Sequence, residues 1–373
     1  MKITVVKPGD LGPGEAETWR TLLRSGSPLV NPFLCPEFTM AVGRLRADVR
    51  VAVIEDGGRI AGFFPFERHR FGIGKPVGSG LTDAQGAILA PGVRLDVPWL
   101  LKSCGLSVWE FDHLVADQFP AYHSSRHPSP IIDLRGGLEG YLTEMQKNSG
   151  KTYKSTAYKE RKLGREVGEV RHDYAVTDPE ALRTLLGWKS GQYRRTGRSD
   201  RFARPWITRL VEDLLQVNTP GFAGVLDLVY AGDRPIAGHF GLRSDTVLAG
   251  WFPAYDISFA RYSPGLIQHL AMVKAAAQRG ILVIDLGRGE KEYKEKLKNG
   301  ELEVAEGRLT RPTPSAGLHW LIRVPIRGAR NTVLSHPQLL RPADKMLKMS
   351  GTLRGVLRGR ESAARGGSRD IRS

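Results

Sequence analysis

The chain has 373 residues, of which 41% are hydrophobic and 25% charged, as is ordinary for a soluble globular protein with a sizeable core. No apolar run approaches the roughly 18 residues of a membrane span, and the opening MKITVVKPGD lacks the apolar stretch of a secretory signal. We therefore expect a cytoplasmic protein.

Several kinds of site are absent from the sequence. Cys35 and Cys104 are the two cysteines, too few for a disulfide framework and without the spacing of a structural zinc site. The chain has no G-x-S-x-G elbow, no H-E-x-x-H pair and no complete G-x-x-x-x-G-K-[ST] phosphate-binding loop. We expect no bound metal.

The first organising feature along the chain is an internal repeat. VIEDGGRIAGFFPF (53–66) aligns with VYAGDRPIAGHFGL (229–242), and each copy has the pattern of a β-hairpin. A helical stretch comes before each hairpin, AETWRTLLRSG in one case and DPEALRTLLGWKSGQYRR in the other. We predict two copies of one α/β unit, with SSRHPSP, which ends at Pro130, as the linker between them.

A basic helical stretch follows that linker. Lys and Arg recur there at steps of three to five residues, enough to form one basic face: Lys147, Lys151, Lys154, Lys159, Lys162 and Arg165. Such a face is either simply solvated or attracts a phosphorylated cofactor or an acidic acceptor.

The segment 246–285 has the order strand, loop, helix, buried strand. Ser263 suits the N-cap of the helix, Pro264 its first position and Gly280 its end. A helix that opens just beyond a strand presents unpaired N–H groups and the positive end of its dipole, which suits a phosphate.

The last part of the chain is strongly basic. Residues 311–373 carry 13 Lys and Arg against 3 Asp and Glu. We expect a separate basic tail, in which LHWLIRVPIRGARNTVL combines apolar residues with arginine. Two interpretations stay open: a solvated, partly disordered tail, or a contact with an anionic membrane surface that would place the protein at the inner membrane face.

Several of these segments together resemble a known family. They are IIDLRGGLEGYLTEM, DRPIAGHFGL and FARYSPGLIQHLAMVKAAAQRGILVIDLGRGEKEYK. The likeness is to the acetyltransferases of cellulose and exopolysaccharide biosynthesis (CelD/BcsL type) of the GNAT superfamily, which are similar to the two-lobed FemAB proteins. It implies a mixed α/β fold (α+β) with two tandem GNAT-like lobes, each a mixed twisted sheet flanked by helices. We place these lobes at residues 1–130 and 131–310, followed by the tail at 311–373.

The resemblance also implies a cofactor site. Acetyl-CoA or another acyl-CoA would place its pyrophosphate between the strand before Arg261 and the helix after Pro264. The candidate cofactor-binding residues are Arg261, Tyr262, Ser263, Pro264, Gly265 and Lys294. The loop departs from simple GNAT enzymes because it has a single glycine, Gly265.

Acyl transfer requires a base, oxyanion donors and a proton for the departing thiolate. His239 replaces Phe63 of the first copy and is our first candidate base. The resemblance implies Tyr293 as the acid. Asp285 and Asp256 end strands, where carboxylates of α/β sheets often approach ligands.

The resulting hypothesis is acyl transfer from acyl-CoA to an amine or hydroxyl. By resemblance, the acceptor would be a sugar or a cell-envelope or exopolysaccharide precursor. One alternative is a Fem-like transferase that uses aminoacyl-tRNA, although no aromatic-interleaved RNA motif appears and we otherwise expect no nucleic-acid partner. Another is a non-catalytic GNAT-like adaptor that binds an anionic surface through its tail.

Overall fold

A computed structural model describes residues 1–26, 29–289 and 291–312. The predicted basic tail, apart from its first two residues, and its membrane contact lie outside the described residues. The strands are β1 (Lys2–Val6), β2 (Val49–Asp56), β3 (Arg59–Arg68), β4 (Ile73–Lys75), β5 (Ile88–Leu89), β6 (Val108–Val115), β7 (His123–Asp133), β8 (Val170–Asp173), β9 (Asn218–Thr219), β10 (Phe222–Ala231), β11 (Arg234–Arg243), β12 (Val247–Tyr255), β13 (Val283–Asp285) and β14 (Gly300–Thr310).

The α-helices lie between these strands and confirm the helical patterns of the sequence. They are α1 (Pro13–Gly26), α2 (Pro36–Leu45), α3 (Val97–Ser103), α4 (Gly137–Glu166), α5 (Pro179–Arg195), α6 (Pro205–Leu215), α7 (Pro264–Ala277) and α8 (Glu292–Leu297). The basic stretch is the 30-residue helix α4, and among the described residues no helix has the length and apolarity to cross a membrane.

The strands join into one mixed sheet. Its order is β1-β2-β3-β4-β6-β14-β7-β13-β12-β11-β10-β8, while β5 pairs with β3 and β9 with β10. Both predicted hairpins are present, as the antiparallel pairs β2–β3 and β10–β11. The fold is therefore the mixed α/β arrangement expected from the sequence.

The two halves of the chain, residues 1–130 and 131–310, repeat one order of elements. In the first half a hairpin is followed by β4, α3 and β6, and β6 runs parallel to β4. In the second half a hairpin is followed by β12, α7 and β13, and β13 runs parallel to β12. This shared order is what two tandem GNAT-like units would produce.

The last strand of the second half lies between strands of the first. β14 pairs with β6 on one side and with β7 on the other, whereas β7 crosses the boundary and its residues 131–133 pair with β13. β14 and β7 also pair with each other, from Gly300 opposite Ile131 to Gly307 opposite His123. The position of β14 therefore makes one continuous ladder of hydrogen bonds from the two halves.

The predicted linker is wrong, because SSRHPSP forms most of β7. The Pro130 carbonyl accepts from the Leu286 N–H at 3.1 Å, on the side of β7 away from β14. The N–H and C=O of one strand residue point to the same side of the strand, and residues two apart share that side. The N–H groups that Pro128 and Pro130 lack would therefore face away from β14, so the two prolines cost no hydrogen bond to β14. The boundary between residues 130 and 131 stays a prediction.

The core of the second half positions the helix at the centre of the predicted site. Helix α7 packs against β10, β11 and β12, and its Leu270 and Val273 lie among Ile132, Leu248 and Ile284. Its register on the sheet is therefore set by buried apolar contacts.

Residues 1–189 and the described chain from 204 onward form one compact unit, and 190–203 group into another. In the second unit, Ser190 Oγ donates to Asp200 Oδ2, and the rings of Tyr193 and Phe202 lie 6.2 Å apart. These contacts close the turn that follows the end of α5.

Candidate functional site

The predicted helix opening at Pro264 is present. β12 and β13 pair in parallel only from Val247 opposite Val283 to Ala249 opposite Asp285, and β12 then continues to Tyr255 without that neighbour. Helix α7 opens beside this free part of β12. The arrangement places a helix N-terminus at the edge of a gap between two parallel strands.

Ser263 occupies the predicted N-cap position with an unexpected conformation. Its φ of 55° and ψ of 50° lie in the left-handed region, which costs a non-glycine residue about 1 kcal/mol. The side chain does not cap the helix; instead Ser263 Oγ accepts from Lys159 Nζ of α4 at 2.7 Å. Lys159 therefore adds a cation to the positive end of the α7 dipole.

Arg261 and Tyr262 are anchored to the end of α4. The Tyr262 hydroxyl is buried and donates to Glu166 Oε2 at 2.6 Å, and Arg261 pairs with the same carboxylate at 3.4 Å. Hydrogen bonding by Tyr262 holds the pKa of Glu166 below its usual range. Tyr262 is thus a positioning residue for the loop. The Arg261 side chain is 70% exposed, so its guanidinium can contact an anion in solvent.

Gly265 leaves space at the helix opening. A Cβ added there would meet only the Tyr255 ring, at an ordinary 3.5 Å. The glycine is therefore not required for packing, and a larger side chain could point from this position into the opening.

His269 lies one turn into α7 and was not predicted as a site residue. Its Nδ1 is 2.6 Å from the Gly265 carbonyl, which can only accept, so Nδ1 carries the proton and Nε2 is the basic nitrogen. Burial lowers the pKa of His269 to about 4, so the ring is neutral at pH 7.

Tyr293, the predicted acid, faces His269 from α8. The two ring centroids are 5.1 Å apart. Burial, with a contribution from the charge of Asp83, raises the pKa of Tyr293 to about 12. The hydroxyl therefore keeps its proton throughout the physiological range, as a proton donor requires.

Asp285 and Lys294 flank the 285–289 loop. The buried Asp285 carboxylate accepts from the Gly287 N–H at 2.8 Å, and burial raises its pKa. The buried Lys294 Nζ donates to the carbonyls of Gly287 and Arg288 at 2.7 and 3.2 Å. Both side chains hold the loop in place, so Lys294 is directed at backbone oxygens instead of at a phosphate.

Two side chains from the first half complete the surroundings of Asp285. Asn31 Nδ2 donates to Asp285 Oδ2 at 3.0 Å, and Ser129 Oγ donates to Oδ1 at 3.3 Å. Sequence reasoning missed both contacts because the partners are 254 and 156 residues from Asp285.

Asp83 also reaches the loop from the first half. A methyl group added at Gly287 would lie 2.6 Å from Asp83 Oδ2, so the carboxylate sits directly against the loop backbone. Asp83 Oδ1 is 3.7 Å from His113 Nε2, and the charge of Asp83 also acts on Tyr293 and Lys294. Asp83 lies in the segment GLTDAQG (80–86), and nothing local to that segment points to a distant loop.

The geometry of His239 disagrees with its predicted role as base. His239 is buried, its Nε2 accepts from the Trp251 N–H at 3.2 Å, and its Nδ1 therefore donates to Asp227 Oδ2 at 3.2 Å. Both ring nitrogens are engaged, so taking a further proton would break the bond to β12.

Asp227 is the centre of this buried network. Its Oδ1 accepts from Gln268 at 2.5 Å and lies 3.2 Å from His172 Nε2. Burial alone would raise the pKa of Asp227, but its histidine partners outweigh burial and lower it. The network ties α7 to β8, β10 and β11.

Asp256 is placed as a helix cap. Its carboxylate accepts from the Ser258 N–H and hydroxyl at 2.9 and 2.7 Å, and pairs with Arg234 at 2.7 Å. It begins the short 3₁₀ helix Ile257–Tyr262 that leads to α7. The structure thus supports a positioning function, not contact with the gap between β12 and β13.

Within the described residues, one group has ligand atoms close enough for a metal ion: Asp48, Glu67 and His69. Arg46 donates to Asp48 Oδ2 at 2.6 Å and lies 3.5 Å from Glu67 Oε2. A guanidinium already compensates these carboxylates, which marks the group as an ion-pair network.

The chain is similar to several known proteins. Residues 150–295 match the family described as acetyltransferase (GNAT) domain. No curated protein matches the chain. Among solved structures, FemX is 10% identical, with a TM-score of 0.52 over 83% of this chain and 96% of FemX.

Two further structures are similar to this chain. A conserved protein of unknown function from Bacteroides thetaiotaomicron is 10% identical, with a TM-score of 0.51 over 83% of this chain and all of the other. A tandem GNAT protein from the clavulanic acid biosynthesis pathway is 9% identical, with a TM-score of 0.46 over 84% and 99%. The match to the acetyltransferase (GNAT) domain at residues 150–295 supports an acyltransferase.

Proposed function

We propose that this domain binds acyl-CoA with the pyrophosphate at the N-terminus of α7. The observation that carries the proposal is the opening itself: a helix dipole, the Lys159 ammonium 2.7 Å from Ser263 Oγ, and a gap beyond the paired part of β12 and β13. This loop has a single glycine, and the Lys159 ammonium adds positive charge beside it.

The proposed chemistry uses His269 of α7 and Tyr293 of α8, whose rings lie side by side. The acceptor nitrogen or oxygen attacks the thioester carbonyl, a new bond to that carbon forms, and the C–S bond breaks. Tyr293 donates its proton to the departing thiolate, and the basic Nε2 of His269 takes the proton of the acceptor. His269 replaces His239 in this role, because His239 uses both nitrogens in the network of Asp227.

The finer identity of the acceptor is also a proposal. The CelD/BcsL resemblance supports a sugar or a cell-envelope or exopolysaccharide precursor, acetylated from acetyl-CoA. The likeness in fold to FemX, with the basic face of α4, keeps aminoacyl-tRNA as the second candidate donor.

Calorimetric titration with acetyl-CoA and longer acyl-CoAs tests the donor. Gly265→Glu places a carboxylate at the helix opening, where the structure has space for it, and Gly265→Gln is the matched neutral control. We expect micromolar binding to the wild type, at least tenfold weaker binding to the Glu variant, and a smaller loss for Gln, because only Glu repels the phosphates.

A folded wild type that binds no acyl-CoA would refute this donor, and charged tRNA would be titrated next. Equal losses for Glu and Gln would place the pyrophosphate away from α7.

A further inference from the structure

A cavity of about 960 Å³ lies on the first-half side of the 285–289 loop. Its walls come from the end of α1, the segments 29–34, 83–97 and 115–122, Ser129 of β7 and the start of β14. This volume is near the upper end of the range for small-molecule pockets, about 300–1,000 Å³. The cavity can therefore hold most of a substrate-sized molecule.

The wall of the cavity is largely apolar and unfilled. Many of its aliphatic and aromatic side chains are only partly buried in the folded chain: Leu23, Leu89, Leu95, Val115, Phe119 and Leu302. Leu302 stands out as a large apolar residue that is 37% exposed within a strand. Apolar surface lining a concavity gains free energy when an apolar group covers it.

One end of the cavity is polar and adjoins the candidate transfer site. Asp285, with its donors Asn31 and Ser129, lines this end together with Asp83. Asp83 lies against Gly287 and acts electrostatically on Tyr293, so the polar end is next to the proposed proton donor.

The charged residues that line the cavity determine which charge a bound molecule's polar head can carry. The acidic lining residues are Asp83, Asp117, Asp285 and Glu303, whereas Arg94 is the basic one among the described residues that line the cavity. Arg126 already pairs with Glu303 at 3.2 Å and Asp285 is buried among its own donors, so Asp83 and Asp117 supply the negative charge. This charge favours a cationic, hydrogen-bond-donating head and disfavours an anionic one.

We propose that the cavity is the acceptor site and that the acceptor is an amphiphilic primary amine, with its apolar chain along the wall and its nitrogen at the Asp83 end. The role as acceptor rests on the proposed acyl-CoA activity. In the transfer, the bound ammonium first releases one proton to solvent and its neutral nitrogen then bonds to the acyl carbon. The C–S bond of acyl-CoA breaks, His269 takes the second proton of the nitrogen and Tyr293 protonates the thiolate, so the products are an amide, CoA thiol and the released proton.

The test is calorimetric titration of the full chain with hexylamine, octylamine and decylamine, each below its micelle-forming concentration, and with octanoate as the anionic counterpart. We expect Kd to fall by about fourfold for each added methylene, because every methylene is buried. Octanoate should bind at least tenfold more weakly than octylamine.

Two variants locate the binding. Leu302→Asn makes the apolar wall polar and should weaken decylamine at least fivefold, while Val167→Asn, at a residue of similar exposure (40%) outside the cavity, should leave its Kd unchanged. Asp83→Asn should reduce the preference for octylamine over octanoate. Thermal melts of each variant confirm that the fold is retained.

Binding without dependence on chain length, or equal binding to the Leu302→Asn and Val167→Asn variants, would overturn the proposal, as would a complete lack of amine binding. The acyl-CoA titration separates the two hypotheses. Acyl-CoA binding without amine binding removes only the acceptor assignment, whereas amine binding without acyl-CoA binding leaves an amphiphile site and removes the transferase mechanism.

Discussion

At the scale of single residues, the candidate site depends on how each polar side chain is partnered. His239 and His269 are both buried histidines of the second half, yet their hydrogen bonds differ. His239 has partners at both ring nitrogens and braces the sheet, whereas His269 donates from Nδ1 to the Gly265 carbonyl and its ring centroid lies 5.1 Å from that of Tyr293.

The burial of His269 makes stability depend on pH. Its folded-state pKa of about 4 is below the unfolded value near 6.5. Between these values the unfolded chain binds the proton and the folded chain does not, so the free energy of unfolding falls as the pH falls. The loss from this residue is at most about 3 kcal/mol.

We expect His269→Asn to remove this part of the pH dependence. The Asn amide can donate to the Gly265 carbonyl as Nδ1 does, but it does not titrate. Urea denaturation of both proteins from pH 4 to 6.5 would show a flatter profile for the variant. Identical slopes would mean that other groups cause the acid sensitivity.

At the scale of elements, β14 matters most because it lies between β6 and β7 and pairs with both strands. Gly307 marks its closest approach to other strands: a Cβ there would lie 2.2 Å from the Tyr122 carbonyl and 2.8 Å from Phe111. This strand position therefore requires glycine for space.

Gly307→Ala should lower the free energy of unfolding by about 1–3 kcal/mol, because β14 or β7 must move to admit the methyl group. Gly187→Ala in α5, where nothing lies within 4 Å, is the control and should stabilise the protein by up to about 1 kcal/mol. Equilibrium denaturation measures both values. A neutral Gly307→Ala variant would show that the β14–β7 pairing is looser than the distances indicate.

Local patterns predicted many elements well. Pro264 and Gly280 bound α7 as expected, and the alternating apolar residues of the repeat form the two hairpins. β7 was missed because Ser, His and Pro have low strand propensity, and its partner β14 comes about 170 residues later in the chain.

At the scale of the whole molecule, side chains of the first half reach the candidate site of the second. Trp251 of β12 donates from its indole to the Leu81 carbonyl at 2.8 Å and packs against Phe33. Asn31, Ser129 and Asp83 reach the 285–289 loop. The first half therefore contributes directly to the surroundings of Asp285.

We expect the two halves to unfold together, because β14 of the second half pairs with β6 and with the first-half residues of β7, so neither half keeps its hydrogen-bond ladder alone. Urea unfolding followed by far-UV circular dichroism and by tryptophan fluorescence should give coincident transitions. Native-state hydrogen exchange that shows the β10–β11 hairpin protected after β2–β3 has opened would contradict this expectation.

The sequence by itself determined the local elements: the period-2 hairpins, the bounded helix α7 and the long basic helix α4, since these follow from the apolar spacing and from Pro and Gly within a few residues. Only the tertiary structure decided which polar residues meet. Asp83, Asn31 and Ser129 contact the 285–289 loop from far away in the chain, and His239 is engaged because Asp227 and Trp251 lie beside it in the sheet. Such partners are chosen by strand register and burial, which pair residues far apart in the chain.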